Sequence, residues 1–257
     1  LPSTLAQVSG PGATIIAWII TTIGSILIAI SFANLGTKYP STGGAYQYTK
    51  EAFGDFAGFL SAWLYWNGSW IGNAAIIVAI TSYASAVIPA LSNPMISIIF
   101  SSAILWIFTI VNILSVKIAG KLQSFVTVFK IGFFALFIIV AFLNFDNVNI
   151  LPLFPEGKGL STVPLAATST LWAFIGLESA TVAAGEIKNP EKNIRKSTIY
   201  GLIIASVIYL AISIASMGAM DNKTLANSTA PLTDILTSLE RSSIKAFLSS
   251  LRSLALP

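Results

Sequence analysis

Residues 13–35 read ATIIAWIITTIGSILIAISFANL, a run with no charged side chain. A helix that crosses a bilayer needs about 20 predominantly apolar residues, so this run predicts a transmembrane helix and decides the fold class. Comparable apolar stretches follow at 56–88, 95–116, 122–143, 162–185 and 197–219. The sequence therefore predicts an all-α polytopic membrane protein with about six full transmembrane helices, and Leu1–Gln7 as the end of a first one.

The composition excludes several functional classes. Of 257 residues, 55% are hydrophobic and only 9% are charged, against about 25% charged in soluble domains. Cys and His are both absent, which excludes disulfides, thiol nucleophiles and the commonest metal ligands. The net charge of +4 comes from basic residues scattered over short loops. No basic cluster with interleaved aromatic residues occurs, so we expect no nucleic-acid partner. No nucleophile–base pair, phosphate-binding loop or metal-ligand spacing occurs either, so we expect no cofactor and no enzymatic site.

Two regions differ in composition. Residues 1–236 are predicted to form the membrane domain, punctuated at Pro89 and at Asn93-Pro94. Residues 237–257 are rich in Ser and Leu and contain too many charges to span a membrane. Apolar residues of this tail recur at helical spacing, which indicates either an interfacial amphipathic helix or a non-native end.

The loops alternate in basic charge. Connections 36–55, 117–121 and 186–196 hold eight Lys and Arg residues, whereas 89–94, 144–160 and 220–230 hold two, Lys158 and Lys223. Cytoplasmic loops of membrane proteins carry the excess of Lys and Arg. The first group is therefore predicted to lie in the cytoplasm, in a multi-pass protein of the cytoplasmic (inner) membrane.

Glu178 is the most informative ionisable residue. A carboxylate inside a membrane span costs roughly 2.5–3.5 kcal/mol on insertion scales, so it normally faces a cavity or a partner. Gly176 lies two residues earlier and lowers the cost of unwinding the helix, and transporters place substrate sites at broken helices. The alternative is a helix-packing Gly beside a Glu near the cytoplasmic end of the span.

A second signal lies in the stretch 56–88. Small and polar residues recur at steps of three and four and share one helix face: Tyr65, Ser69, Gly72, Asn73 and Ile76. Such a face lines a cavity or packs tightly against another helix. Three neighbouring tryptophans, Trp63, Trp66 and Trp70, could instead anchor the span at the membrane interface.

Lys130 interrupts the otherwise apolar stretch 122–143. Desolvation of a buried ammonium would allow it to exchange protons near neutral pH. The alternative is a Lys that reaches the interface from a tilted helix.

Three stretches together resemble the amino acid–polyamine–organocation family. They are residues 40–48 (PSTGGAYQY) leading to 63–66 (WLYW), residues 174–179 (FIGLES) with 185–190 (GEIKNP), and Leu1-Pro2 followed by Leu5-Ala6. Residues 70–73 (WIGN) and 170–172 (TLW) further resemble the bacterial basic amino acid and polyamine exchangers, notably arginine/agmatine antiporters.

The resemblance implies part of a leucine-transporter-type fold, in which two inverted repeats of five spans hold the substrate between broken spans. It implies a gating role for the residues matching Trp172, Tyr65 and Glu178, and a substrate pocket at those matching Ile175 and Asn73. With the polar face and the helix break, the candidate substrate-binding set is Asn73, Trp172, Ile175, Ile76, Ser69 and Gly176. Lys130 resembles a fifth-span Lys of proton-coupled members, which leaves exchange and proton symport both open.

The resulting prediction is secondary active transport of amino acids, most specifically basic amino acids or polyamines. The expected partners are that substrate, the lipid bilayer and a second copy of the chain in a homodimer. The family's glycine-rich first-span break and its spans eight to twelve have no counterpart in this sequence, so we expect an incomplete or inactive fragment. A membrane channel and a non-transporting structural membrane subunit remain alternatives.

Overall fold

The computed structural model describes residues 1–39, 41–85, 87–182 and 184–238, and regular structure in this part of the chain is entirely helical. The all-α fold class is thereby confirmed. In chain order the α-helices are α1 (Pro2–Val8), α2 (Pro11–Lys38), α3 (Ala45–Phe53), α4 (Asp55–Ser85), α5 (Pro94–Leu114), α6 (Val116–Leu143), α7 (Asn147–Ile150), α8 (Val163–Trp172), α9 (Ser179–Val182), α10 (Pro190–Ala219) and α11 (Asn222–Asn227). Residues 231–238 are also helical, and the rest of the predicted tail lies outside the described residues.

Within the described residues, four helices are long and apolar enough to cross a membrane: Pro11–Lys38, Pro94–Leu114, Ile118–Leu143 and Lys192–Ala219. The chain is a multi-pass membrane protein. The sequence predicted about six full crossings, and the two others differ for separate reasons. Helix α4 has 31 residues, but its Asn, Ser, Trp and Tyr side chains make it less apolar. The stretch predicted as one span over 162–185 is divided into α8 and α9.

Side-chain caps explain where the apolar run after α4 is divided. The Asn93 side chain accepts hydrogen bonds from the backbone N–H groups of Met95 at 2.9 Å and Ile96 at 3.4 Å, and Pro94 occupies the first turn of α5. Ser115 caps α6 in the same way by accepting from the N–H of Ile118. These caps satisfy amide groups that have no partner within the helix. The predicted break at Asn93-Pro94 is confirmed.

The described residues form two compact units, and the first contains residues 1–13, 81–85, 87–160 and 211–238. In it, α1 packs against α11. The backbone N–H of Gly12 donates to the carbonyl of Leu153 at 2.8 Å. The Lys158 ammonium donates to the carbonyl of Ala6 and to the Asn222 side chain. The Lys158 ammonium therefore links α1 to the start of α11 through two charge-assisted hydrogen bonds.

The second unit contains residues 14–80 and 161–210. Helix α2 is held against α8 by a buried hydrogen bond of 3.0 Å between the hydroxyls of Thr21 and Thr170. Gly44 lies at φ +51°, and a Cβ on it would come 2.8 Å from the Thr181 hydroxyl. The close approach of the loop before α3 to α9 therefore requires glycine. This unit contains the candidate functional site.

Candidate functional site

The helix that begins at Val163 loses its α-helical form after Trp172. Backbone N–H groups in the next residues bond three positions back: Phe174 to Leu171 at 3.0 Å, Ile175 to Trp172 at 3.3 Å and Leu177 to Phe174 at 3.3 Å. Such i to i−3 bonds are those of a 3-10 helix, with about three residues per turn. Gly176 has φ +99°, a conformation that only glycine adopts readily. We call residues 173–177 the interruption. It contains Gly176, the residue at which the sequence predicted a break in the helix.

The i to i−3 hydrogen bonds after Trp172 determine which side chains of this segment face the cavity. Residues three apart eclipse one another in a 3-10 turn, so Trp172 and Ile175 point the same way. Both line a cavity of about 540 Å³. Phe174 points elsewhere and is buried, with 4% of its surface exposed. Ser179 and Glu178, which follow the positive φ of Gly176, also line this cavity.

The facing wall of the cavity is the small and polar stripe of α4. Its lining residues recur every three or four positions: Tyr65, Gly68, Ser69, Gly72, Asn73 and Ile76. The Ser69 hydroxyl donates to the carbonyl of Tyr65 at 2.7 Å, which keeps it within its own helix. Three of the six are Gly or Ser, so the backbone of α4 itself forms part of the wall. Tyr65, Asn73 and Ile76 project further and shape the cavity.

The electrostatics of the cavity favour a cation. Among the described residues that line the cavity, Glu178 is the one with a formal charge, and none of them is Lys or Arg. The Tyr65 hydroxyl interacts with Glu178 and with Ser179. Trp172 is 54% exposed and offers an aromatic face, which attracts ammonium or guanidinium groups.

The predicted substrate-binding and gating residues all line this one cavity: Tyr65, Ser69, Asn73, Ile76, Trp172, Ile175, Gly176 and Glu178. Their roles stay predictions. Lys130 belongs to the first compact unit, where its side chain is exposed on α6, and its role in proton coupling also stays a prediction. Gly68 and Ser179 also line the cavity, and the sequence did not predict them. Gly68 lies four residues before Gly72, so the periodicity of the stripe could have found it.

Comparison with known proteins matches residues 1–248 to the amino acid permease family. Three relatives are similar over 90% of the chain. The cadaverine/lysine antiporter of Escherichia coli K12 is 33% identical over 237 residues, which cover 52% of that protein. The putrescine transporter PotE of Haemophilus influenzae is 31% identical and covered over 53%. The arginine/ornithine antiporter of Latilactobacillus sakei is 30% identical and covered over 50%. The chain spans about half the length of these relatives.

Proposed function

Because the chain belongs to the amino acid permease family, we propose that its cavity holds the amine or guanidinium end of a basic amino acid or a polyamine during secondary transport. The observation that carries this proposal is the charge of the cavity, in which Glu178 stands without a basic side chain among the lining residues. A carboxylate and an aromatic face in one cavity complement an organic cation rather than an anion.

Each lining residue has a distinct part in this proposal. Glu178 neutralises the positive charge of the substrate, and Trp172 packs a ring against its cationic end. Asn73 donates or accepts a hydrogen bond, since an amide side chain can do both. Ile175 and Ile76 contact the methylene chain that lysine, ornithine and the diamines share. Tyr65, which interacts with Glu178, changes partner when a substrate cation takes that carboxylate.

The relatives named above carry arginine, ornithine, lysine, cadaverine or putrescine according to their names. We propose the same chemical class for this chain, carried by exchange of one cation for another across the cytoplasmic membrane. Proton coupling through Lys130 is the second proposal, and it predicts a pH dependence of transport that Lys130→Met abolishes. A homodimer in the lipid bilayer completes the proposed assembly.

The charge of the cavity is tested with a single introduced thiol, because the chain contains no Cys. Ser69→Cys is nearly isosteric and places a sulfur in the cavity wall. We expect a trimethylammonium methanethiosulfonate reagent to modify it faster than a sulfonate analogue. One unit charge contributes about 1 kcal/mol at 4 Å even in bulk water, so two reagents of opposite charge should differ by about 2 kcal/mol. This corresponds to about a thirtyfold ratio of rates, measured relative to the ratio of the two reagents with a free thiol in solution. Glu178→Gln in the Ser69→Cys chain should remove the preference, and Glu156→Gln, at an exposed loop position, should keep it.

Ligand protection of the same thiol tests the substrate class. Lysine, arginine, ornithine, cadaverine and putrescine should slow the modification of Ser69→Cys in a saturable way, and leucine should not. Trp172→Ala and Glu178→Gln should each weaken this protection. Equal protection by leucine and lysine, or none by any cation at millimolar concentration, would contradict the proposal.

A further inference from the structure

We infer that Phe174 is a positioning residue, held by an aromatic clamp that keeps the interrupted helix turned toward the cavity. The clamp consists of three rings in the second compact unit: Trp18 of α2, Phe174 of the interruption and Tyr209 of α10. This inference rests on the proposed function, because it explains how the cavity side chains are aimed.

The three rings contact one another in every pairing. The ring centroids of Trp18 and Phe174 lie 5.9 Å apart with an interplanar angle of 81°. Those of Phe174 and Tyr209 lie 6.0 Å apart at 67°, and those of Trp18 and Tyr209 lie 5.6 Å apart at 34°. The two pairs that involve Phe174 have edge-to-face geometry, which the ring quadrupoles favour. Phe174 thus contacts two helices through one side chain.

The Phe174 ring is buried, whereas two large side chains close to it in the chain are exposed. Phe174 is 4% exposed and Trp18 is 2% exposed, whereas Trp172 and Ile175 are 54% and 68% exposed. In a 3-10 turn, successive side chains are about 120° apart. Fixing Phe174 between α2 and α10 therefore fixes the direction of Trp172 and Ile175, which line the cavity.

The hydrogen bonds of the interruption do not by themselves set its direction. Its backbone bonds join residues three apart along the same segment, so they preserve its winding but do not orient it against other helices. The Thr21–Thr170 hydrogen bond holds α8 one turn before the interruption begins. The clamp adds to that bond a contact of α2 and α10 with Phe174 itself, within the interruption.

The first test needs no ligand and uses hydrogen exchange of the purified chain. Phe174→Leu removes the ring while retaining an apolar side chain. We expect exchange of the amides of Phe174, Ile175 and Leu177 to become about tenfold faster, as for a locally loosened segment, with unchanged exchange in α4. Phe174→Tyr keeps the ring, so exchange of these amides should stay as slow as in the parent chain. Phe137→Leu, which removes a ring that is 1% exposed from the first compact unit, is the matched control.

The second test uses cation protection of Ser69→Cys. Phe174→Leu should raise the lysine concentration needed for half protection about tenfold, and Phe174→Tyr should restore it. Tyr209→Leu should act in the same direction and serves if Phe174→Leu does not fold. Unchanged exchange at residues 174–177, or faster exchange spread over the whole unit, would overturn the clamp. If the parent chain shows no protection by any cation, the proposed function fails, and the exchange result still decides the clamp.

Discussion

Gly176→Ala perturbs the helix interruption at its most restrictive position. The backbone there has φ +99°, and a Cβ would meet the Ser179 hydroxyl oxygen at 3.5 Å as its nearest neighbour. This is an ordinary van der Waals distance, so the added methyl group finds room. The cost of the substitution is therefore the backbone strain of an L residue at positive φ, and not a steric clash with the cavity wall.

The magnitude follows from two opposing terms. A residue held in a sparsely populated backbone region costs about 1–3 kcal/mol. Replacing Gly by Ala also restricts the unfolded chain, which returns about 0.4–1 kcal/mol. The expected net loss in unfolding free energy is about 1–2 kcal/mol. For a chain of this size, each kcal/mol corresponds to about 2–4 °C in melting temperature.

Thermal unfolding of the purified chain in detergent measures this loss. Gly201→Ala is the matched control, because Gly201 lies within α10 and a Cβ there meets nothing within 4 Å. Alanine in a helix interior is favoured over glycine by roughly 0.5–1 kcal/mol, so the control should melt slightly higher than the parent. If Gly176→Ala melts at or above the temperature of Gly201→Ala, the interruption does not depend on the conformational freedom of glycine, and the reasoning is refuted.

Three further outcomes are expected. Gly218→Ala should destabilise the chain by about 1–3 kcal/mol through overpacking, because its Cβ would lie 2.1 Å from the ring of Phe145; a thermal melt equal to that of Gly201→Ala would contradict this. The hydroxyl and the backbone N–H of Thr224 donate to Asp221 and lower the pKa of this carboxyl. Its capping contribution is therefore present above the ordinary Asp pKa of about 3.9 and is lost as the pH falls through the lowered pKa. Protection of the α11 amides, taken relative to the intrinsic exchange rate at each pH, should fall over that range in the parent, and an equal fall in Asp221→Ala would exclude this carboxyl as the cause. Finally, a thiol at Asn193→Cys should resist impermeant reagents in intact cells, and labelling from outside would reverse the predicted orientation.

Much of the fold and the cavity lining could be predicted from the sequence because both follow from local patterns. An uncharged run such as residues 13–35 forms a helix in lipid, because a helix pairs the backbone N–H and C=O groups within the segment. The helical repeat alone predicts that Tyr65, Ser69, Asn73 and Ile76 share one face of α4. The same repeat also predicts Gly68 on that face. Gly176 indicated where a helix could unwind at low cost.

Tertiary contacts decided the rest. The sequence could not show that the N–H groups of residues 173–175 bond three positions back, because this winding was not distinguishable from a continuous helix in the apolar pattern of 162–185. It could not show that Phe174 turns away from the cavity while Trp172 and Ile175 turn toward it, since this depends on rings contributed by Trp18 and Tyr209. Side chains far apart in the chain meet only after folding. The sequence by itself therefore determined the helices, their apolar surfaces and the point of interruption, and only the packing of α2 and α10 around Phe174 determined which side of the interruption faces the cavity.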